Sequence, residues 1–198
     1  MKVLVGCEFS GIVRDCFNAM GHDAVSCDLL PSESPHGVHY QGDVIDVLYN
    51  NDWDLAIMHP PCTYLASSGL HWNNKIPGRS EKTEEALRFI TTIWNAPVKK
   101  MAIENPVGCI NTRLPFMPKP QYVQPYNYGE DASKKTGLWL RGLAPLEPTE
   151  YVEPRYVNGK PRWGNQGDTG YDKFGGGQGH ERSRTFFGIA YAMAAQWG

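Results

Sequence analysis

A cysteine and a glutamate each follow a short apolar run and are the chain's leading candidates for covalent chemistry. Cys62 comes directly after Pro60 and Pro61, behind apolar residues 55–58. Glu104 lies 42 residues further on, behind apolar residues 101–103. Ligands of an open α/β sheet bind outside the carboxyl ends of its strands. If both runs are strands, Cys62 as nucleophile and Glu104 as its acid partner are expected to converge on one substrate.

Each of these residues also has a structural interpretation. A free cysteine is often a small buried hydrophobe. Two prolines, however, stiffen the chain and end the hydrogen-bonding ladder of a strand, so they favour a loop position for Cys62. A carboxylate at a buried strand end, such as Glu104, usually has a partner or a task.

Length and composition predict one domain with one sizeable core: the chain has 198 residues, of which 41% are hydrophobic. Its five cysteines are an odd number and include no C-x-x-C pair, which argues against a disulfide framework or a zinc site. We therefore expect a reducing, cytoplasmic setting and no metal. No apolar run approaches the roughly 18 residues of a membrane span.

Apolar runs alternate with helical patterns along the first 140 residues. Strands are predicted over 2–6, over 24–27 with Asp28 at the end, over 53–59 and directly before Glu104. A helix capped by Ser10 is predicted to run to about Met20. The other predicted segments are a loop over 29–41, a loop to about Arg79, and a helix over 81–94 with Ala86, Phe89, Ile90 and Ile93 on its apolar face.

This alternation predicts an α/β fold, Rossmann-like, with a mostly parallel sheet covered by helices on both faces. A final helix is predicted over 184–197. Its apolar face is expected to carry Phe187, Ala190, Tyr191, Ala194 and Trp197.

Residues 145–181 break the pattern, because they are rich in glycine and proline and carry the run 175–177 of three glycines. A loop of this length is usually functional or disordered. Residues 1–131 hold 10 Lys and Arg against 15 Asp and Glu, whereas residues 132–198 hold 9 against 6. The basic excess of the last third favours phosphate contacts there, unless these side chains only solvate the surface.

Several short motifs resemble, in order, those of the DNA cytosine carbon-5 methyltransferases, in a compact form without the usual target recognition domain. Residues 7–11 stand where that family has its Phe-Ala-Gly turn, and Asp28 matches the acidic residue that ends the second strand. Residues 42–44 resemble the Gly-Asp-Ile segment. The remaining matches are Pro60, Pro61 and Cys62 with Ser68 and Gly69 for the nucleophile loop, Glu104, Asn105 and Pro106 for Glu-Asn-Val, and 128–140 for the Tyr-Gly and Gln-x-Arg-x-Arg segment.

The resemblance implies S-adenosylmethionine as cofactor. Backbone N–H groups of a tight turn that opens a helix can face its methionine part, and an acid about 20 residues later can bind the ribose hydroxyls. Asp28 lies 19 residues after Phe9, and Asp43 would face the adenine amine. The implied cofactor contacts are Cys7, Glu8, Phe9, Ser10, Gly11, Asp28, Asp43 and Pro60. Without this pattern, Asp28 would be read as a cap and Asp43 as a turn residue.

The resemblance also implies the reaction. Carbon-5 of cytosine is a poor nucleophile, so the Cys62 thiolate would add to carbon-6 and make the ring an enamine that attacks the sulfonium methyl group. Glu104 would stabilise the adduct as general acid. In duplex DNA the target base must first be flipped out of the stack.

The chain departs from the family where the substrate is bound. Ser133, Lys134, Lys135 and Thr136 replace the paired arginines, and only residues 145–181 are available in place of a recognition domain. Sequence specificity is therefore expected to be low or to come from a second subunit, which leaves a homodimer open. The substrate contacts implied on DNA are Ser68, Asn105, Lys134, Lys135, Arg182 and Arg184.

Two other functions remain open. An amino methyltransferase also uses a Pro-Pro turn after a strand, but it needs Asn or Asp before the prolines, where this chain has His59. A catalytically silent protein that binds nucleic acid or cofactor would leave Cys62 and Glu104 unexplained.

Overall fold

A computed structural model describes residues 1–170 and 183–198. The strands are β1 (Lys2–Gly6), β2 (Asp23–Asp28), β3 (Val38–Gln41), β4 (Leu55–Met58), β5 (Lys100–Pro106), β6 (Gln121–Val123), β7 (Thr136–Arg141), β8 (Arg155–Val157) and β9 (Lys160–Arg162). The helices are α1 (Ile12–Ala19), α2 (Val44–Tyr49), α3 (Ser67–Leu70), α4 (Arg79–Trp94), α5 (Ile110–Arg113) and α6 (Phe187–Trp197), with a 3-10 turn over Pro125–Asn127.

Seven strands form one sheet in the order β3-β2-β1-β4-β5-β7-β6. Pairing is parallel from β3 to β5, and β7 lies antiparallel between β5 and β6. The strand order reverses between β1 and β4, and the crevice at such a switch point is where open α/β sheets bind ligands. The α/β, Rossmann-like fold class predicted from the sequence is confirmed.

Helices cover both faces of the sheet because the central strands are apolar on both sides. In β1, Val3 and Val5 belong to a core that includes α1 and α6, whereas Leu4 belongs to a second core that includes α2 and α4. All three side chains are fully buried. Such continuous apolar runs are typical of parallel strands that are buried on both faces.

The segment over 29–41, predicted to be a loop, ends in strand β3. This strand pairs with β2 from Val25–Val38 to Asp28–Gln41 and forms one edge of the sheet. Val38 and Tyr40 are about half exposed, at 52% and 48%. An edge strand of four residues with this exposure lacks the apolar run by which the central strands were recognised.

The start of α1 also differs from the prediction. Gly11, not Ser10, precedes the helix, with φ of 75°. The Glu8 carboxylate accepts the N–H of Val13 at 2.7 Å and the N–H of Arg14 at 3.3 Å. A buried acid from the preceding turn therefore does the capping that was assigned to Ser10, at the helix end that attracts negative charge.

The apolar face of α6 was predicted only in part. Ala190, Ala194 and Trp197 are buried as expected, but Phe187 and Tyr191 are 62% and 51% exposed. The helix is apolar nearly all round, so spacing alone does not select its buried side. It packs through Ile189, Ala190, Ala192, Met193, Ala194 and Trp197.

A small antiparallel hairpin, β8–β9, lies within the segment that was predicted to be irregular. It is joined to the body of the protein through residues that follow it: the Gly164 N–H donates to Asp131, and Asn165 exchanges two hydrogen bonds with the Ser133 backbone. Trp163 stacks on Tyr126 with ring centres 4.0 Å apart. The run of three glycines at 175–177 lies outside the described residues.

Among the described residues, none of the helices combines the length and the apolar character needed to span a bilayer.

Substitutions on the buried and exposed sides of α4 test which side of this helix faces the sheet. Ile90 is fully buried, whereas Arg88 on the same helix is exposed. We expect Ile90→Ala to lower the free energy of unfolding by about 2–5 kcal/mol, because it leaves a cavity under the helix. Arg88→Ala should change it by less than about 0.5 kcal/mol. Urea denaturation measures both, and equal costs would contradict this placement of α4.

Candidate active site

The loop after β4 starts from buried residues and places Cys62 at the surface. The His59 N–H continues the parallel ladder by donating to the Gly6 carbonyl at 2.9 Å. One residue later, the Asn105 side chain donates to the Pro60 carbonyl at 2.8 Å, in a buried bond that links the ends of β4 and β5. Pro60 is buried, and Pro61 and Cys62 are exposed. The predicted loop position of Cys62 is thus found, on a rigid base.

A second set of contacts fixes the far side of this loop. The Cys62 carbonyl accepts the N–H groups of Leu65 and Ala66, and the Leu65 carbonyl accepts the N–H of Cys109. Any Cβ on Gly108 would overlap the Leu65 carbonyl oxygen, so only glycine allows this approach. Ser68, predicted to contact substrate, is exposed in the short helix α3 that follows.

Glu104 lies next to His59 because β4 and β5 are in parallel register, with Met58 opposite Ile103. The His59 Nδ1 atom is 3.4 Å from Glu104 Oε2. Burial acts to raise the pKa of Glu104, but the hydrogen bond from His59, the charge of Lys134 and a hydrogen bond from Thr136 outweigh it and hold the pKa below its ordinary value. Glu104 is therefore a buried carboxylate that the site keeps ionised.

A small cavity lies over Glu104 and opens beside a larger cleft. The smaller cavity is lined by Glu104, Val123, Lys134, Thr136, Leu138, Thr185, Phe186 and Ile189. The larger cleft is lined by residues 130–134, 164–166 and 184–187, with Ile12 and Gly170. Lys134, Thr185 and Phe186 line both, so the small cavity and the larger cleft share one wall.

The two predicted lysines differ in place. Lys134 lines the cavity, and its charge acts on Glu104. Lys135 is exposed and lies with its Nζ 4.4 Å from the centre of the Tyr122 ring, in a cation–π contact. Of this pair, Lys134 is the one that faces the candidate site.

The predicted cofactor residues lie at the carboxyl ends of four strands: 7–11 after β1, Asp28 at the end of β2, Asp43 after β3 and Pro60 after β4. Cys7 has a positive φ of 57°, the left-handed conformation that a residue with a side chain seldom adopts. Burial raises the pKa of Cys7, and the charges of Asp28 and Asp43 raise it further. Both acids therefore lie close to Cys7, as expected of one site.

Each acid also makes a local turn contact. Asp28 Oδ1 accepts the Leu30 N–H at 2.9 Å, and Asp43 Oδ1 accepts the Ile45 N–H at 2.8 Å as the cap of α2. The turn and capping roles named as alternatives are thus present, although the two roles are exchanged. Cofactor roles for the two acids stay predictions.

Glu8, which was predicted to contact the cofactor, is buried and caps α1. Burial raises its pKa, while the charge of His59 and the N–H groups of Val13 and Arg14 act to lower it. Since Glu8 takes these two N–H groups at the start of α1, they do not face a ligand. Phe9 and Ser10 are also buried, and the Phe9 carbonyl accepts the Glu33 N–H.

Arg184 lies in the segment before α6. Its guanidinium makes a bidentate ion pair with Glu33, with N···O distances of 2.9 and 2.7 Å. Next to it, Thr185 Oγ1 is 3.5 Å from His59 Nδ1. Arg182, the other predicted phosphate contact, lies outside the described residues.

His59 is the site residue that the sequence analysis missed. Its side chain is 6% exposed, between Glu104 and the Glu8 turn. It was considered only as a poor replacement for an amine-binding Asn or Asp. The available signal was its place directly before Pro60, one register step beyond the last buried residue of β4.

Family models and curated proteins give no match to this chain. Among solved structures, it is similar to an E. coli chain described as a candidate DNA modification methyltransferase encoded within a prophage. That likeness has a TM-score of 0.47 and 14% sequence identity, and it covers 77% of this chain and 52% of the other. This chain thus spans about half the length of its structural neighbour.

Exposure predicts which cysteine reacts first. Cys62 is exposed, and burial raises the pKa of each other cysteine, to about 11 for Cys16 and for Cys27. Because the thiolate is the nucleophile, we expect iodoacetamide to alkylate Cys62 before the other four thiols. Peptide mass spectrometry after brief labelling measures the order, and Cys62→Ser should remove the fast reaction. Faster labelling of Cys7 would contradict the arrangement.

Proposed function

We propose that this protein is an S-adenosylmethionine-dependent methyltransferase that acts on carbon-5 of cytosine in DNA. One observation carries the proposal: the loop that bears Cys62 is joined to the strand that bears Glu104 by the buried bond from Asn105 to Pro60. An exposed thiol and a buried carboxylate are thereby held at neighbouring carboxyl ends of the sheet. This pairing suits an enzyme that attacks a flat ring from one face while it binds the ring edge.

The proposed role of Cys62 is nucleophilic attack. Its thiolate adds to carbon-6 of cytosine, and the electron pair of the ring double bond makes carbon-5 nucleophilic. Glu104 binds the ring at N3 and the exocyclic amine, where it stabilises the adduct as general acid. Removal of the proton at carbon-5 and departure of the Cys62 sulfur then restore the ring.

The proposed cofactor contacts are the two acids beside the first turn. S-Adenosylmethionine, when bound, supplies the methyl group. Asp28 would hold the ribose hydroxyls and Asp43 the adenine amine, since both carboxylates lie close to Cys7 at the sheet edge. Glu8 holds the first turn against the start of α1 through the N–H groups of Val13 and Arg14.

DNA is the proposed partner. Lys134 lies at the junction of the cavity over Glu104 and the larger cleft, where a flipped base and its phosphates would be close together. Gly164 and Asn165, which directly follow the hairpin, are hydrogen-bonded to Asp131 and Ser133, next to Lys134, and Tyr156 on the hairpin is 69% exposed. We assign this segment, within residues 145–181, to substrate handling in place of a recognition domain.

Covalent trapping tests the proposed nucleophile. A duplex containing 5-fluorocytosine should form a stable adduct with the protein in the presence of S-adenosylmethionine, because fluorine cannot leave as a proton does. Cys62→Ala should abolish the adduct and lower methyl transfer by several orders of magnitude, about 10³-fold or more. Cys109→Ala, at a buried thiol, is the matched control. An adduct on Cys62→Ala, or methylation of an exocyclic amine without any adduct, would refute the proposal.

Calorimetry tests the cofactor site. Asp28→Ala should weaken S-adenosylmethionine binding by about 1–3 kcal/mol, because the ribose hydroxyls lose their acceptor. Asp23→Ala is the control, since Asp23 is exposed at the opposite end of the same strand. Unchanged affinity in a folded Asp28→Ala protein would rule out the ribose role.

A further inference from the structure

His59 is buried against the carboxylate that the proposed reaction uses. Its Nδ1 atom lies 3.4 Å from Glu104 Oε2 and 3.5 Å from Thr185 Oγ1. Its other ring nitrogen, Nε2, is buried and has no hydrogen-bond partner within residues 1–170 and 183–198. A buried polar atom without a hydrogen-bond partner destabilises the fold, so its presence indicates a functional role.

The backbone fixes where this ring lies. The His59 N–H is bonded to Gly6, and the Pro60 carbonyl is bonded to Asn105. The imidazole is thus carried on a stretch held on both sides, by β1 and by the end of β5. Preorganisation of this kind is expected of a residue that orients a catalytic group.

Charged groups face His59 from several elements. Glu104 contacts it from β5, and Glu8 acts on it from the turn between β1 and α1. Lys134, ahead of β7, acts on Glu104, and the neutral Thr185 contacts the ring from the segment before α6. The charge of Lys134 favours the ionised form of Glu104.

The proposed reaction needs a protonated Glu104, but the residues around Glu104 favour its ionised form. A general acid must carry a proton when the ring nitrogen becomes basic. Lys134, Thr136 and His59 instead keep Glu104 ionised. Imidazole is the side chain that exchanges protons most readily near neutral pH, and Nδ1 is the group placed to pass one to Oε2.

We infer that His59 is a positioning residue that orients the Glu104 carboxylate and exchanges a proton with it during each turnover. This inference rests on the proposed function. As the Cys62 sulfur bonds to carbon-6, its own proton having gone to solvent, the ionised Glu104 takes the Nδ1 proton of the His59 imidazolium. Glu104 passes this proton to N3, which leaves Glu104 ionised and His59 neutral. When N3 gives up its proton later in the cycle, Glu104 passes it back to Nδ1.

Three substitutions separate orientation from proton exchange. His59→Asn keeps an N–H near the Nδ1 position but cannot titrate, His59→Gln moves the N–H towards the Nε2 position, and His59→Leu removes both. The measured quantity is the rate of adduct formation with a 5-fluorocytosine duplex, as a function of pH and of DNA concentration.

We expect His59→Leu and His59→Gln to lower the limiting rate by about 100-fold, with the DNA concentration at half-maximal rate unchanged. Because the proposed exchange needs a side chain at position 59 that can lose and regain a proton, the wild-type rate should depend on pH through this residue. His59→Asn should be faster than His59→Leu and should lack that part of the pH dependence. His22→Asn, just before β2 at the opposite edge of the sheet, is the control and should match the wild type.

A double substitution tests whether His59 acts through Glu104. In a Glu104→Gln background, His59→Leu should cause little further loss, because residues that act as one unit are not additive. If the rate losses caused by His59→Leu and Glu104→Gln multiply in the double variant, the inference is overturned. A wild-type pH profile of the rate in His59→Asn would overturn it as well. If His59→Leu does not fold, the comparison of His59→Asn with His59→Gln still decides.

Different results would contradict the methyltransferase function and the role of His59. If the wild type forms no adduct and no methylcytosine, the proposed function fails. If the wild type reacts and all His59 variants react equally well with the same pH profile, the role of His59 alone fails.

Discussion

The hydrogen bond from the Asn105 side chain to the Pro60 carbonyl is the contact on which the candidate site depends. The bond is 2.8 Å long and buried, and it crosses between the ends of two neighbouring parallel strands. Proline residues at 60 and 61 have no N–H to continue the ladder of β4, so the loop would otherwise separate from β5 at this point. The close approach of Gly108 to the Leu65 carbonyl repeats the attachment further along. Cys62 can therefore be exposed without being loosely placed.

Two buried carboxylates beside one histidine would be unfavourable without compensation. Removing a carboxylate from water costs several kcal/mol unless it is paired and hydrogen-bonded. Glu8 is compensated by backbone N–H groups at the start of α1, and Glu104 by His59, Thr136 and the charge of Lys134. Burial raises both pKa values and the partners act to lower them: the partners of Glu104 outweigh burial, so its pKa is lowered, whereas burial dominates at Glu8, whose pKa is raised. Opposed shifts in one small region are typical of functional sites.

The features that could be predicted from sequence are those with local signals. The apolar runs of β1 and β4 are buried on both faces, so they stand out, and the residues at their ends fall at the same sheet edge by topology alone. Strand β3 was missed because half-exposed Val38 and Tyr40 carry no apolar run. The cap of α1 was assigned to Ser10 alone, but Ser10 Oγ accepts only the Ile12 N–H at 3.4 Å, and the Glu8 carboxylate, two residues before Ser10, accepts the N–H groups of Val13 and Arg14. His59 was missed because its role depends on the register between β4 and β5, which no single segment encodes.

The short segment before α6 connects parts of the site that lie far apart in sequence. Arg184 pairs with Glu33, whose N–H is bonded to the first turn at Phe9. Thr185 contacts His59, and the Gly188 N–H is bonded to the Glu130 side chain at the edge of the cleft. The proposed cofactor turn, the nucleophile loop and the cleft thus share one neighbour. Because α6 packs on the sheet through a continuous apolar face, the position of this segment is set by the core. A change in the packing of α6 would therefore shift the contacts of the first turn, the nucleophile loop and the cleft together.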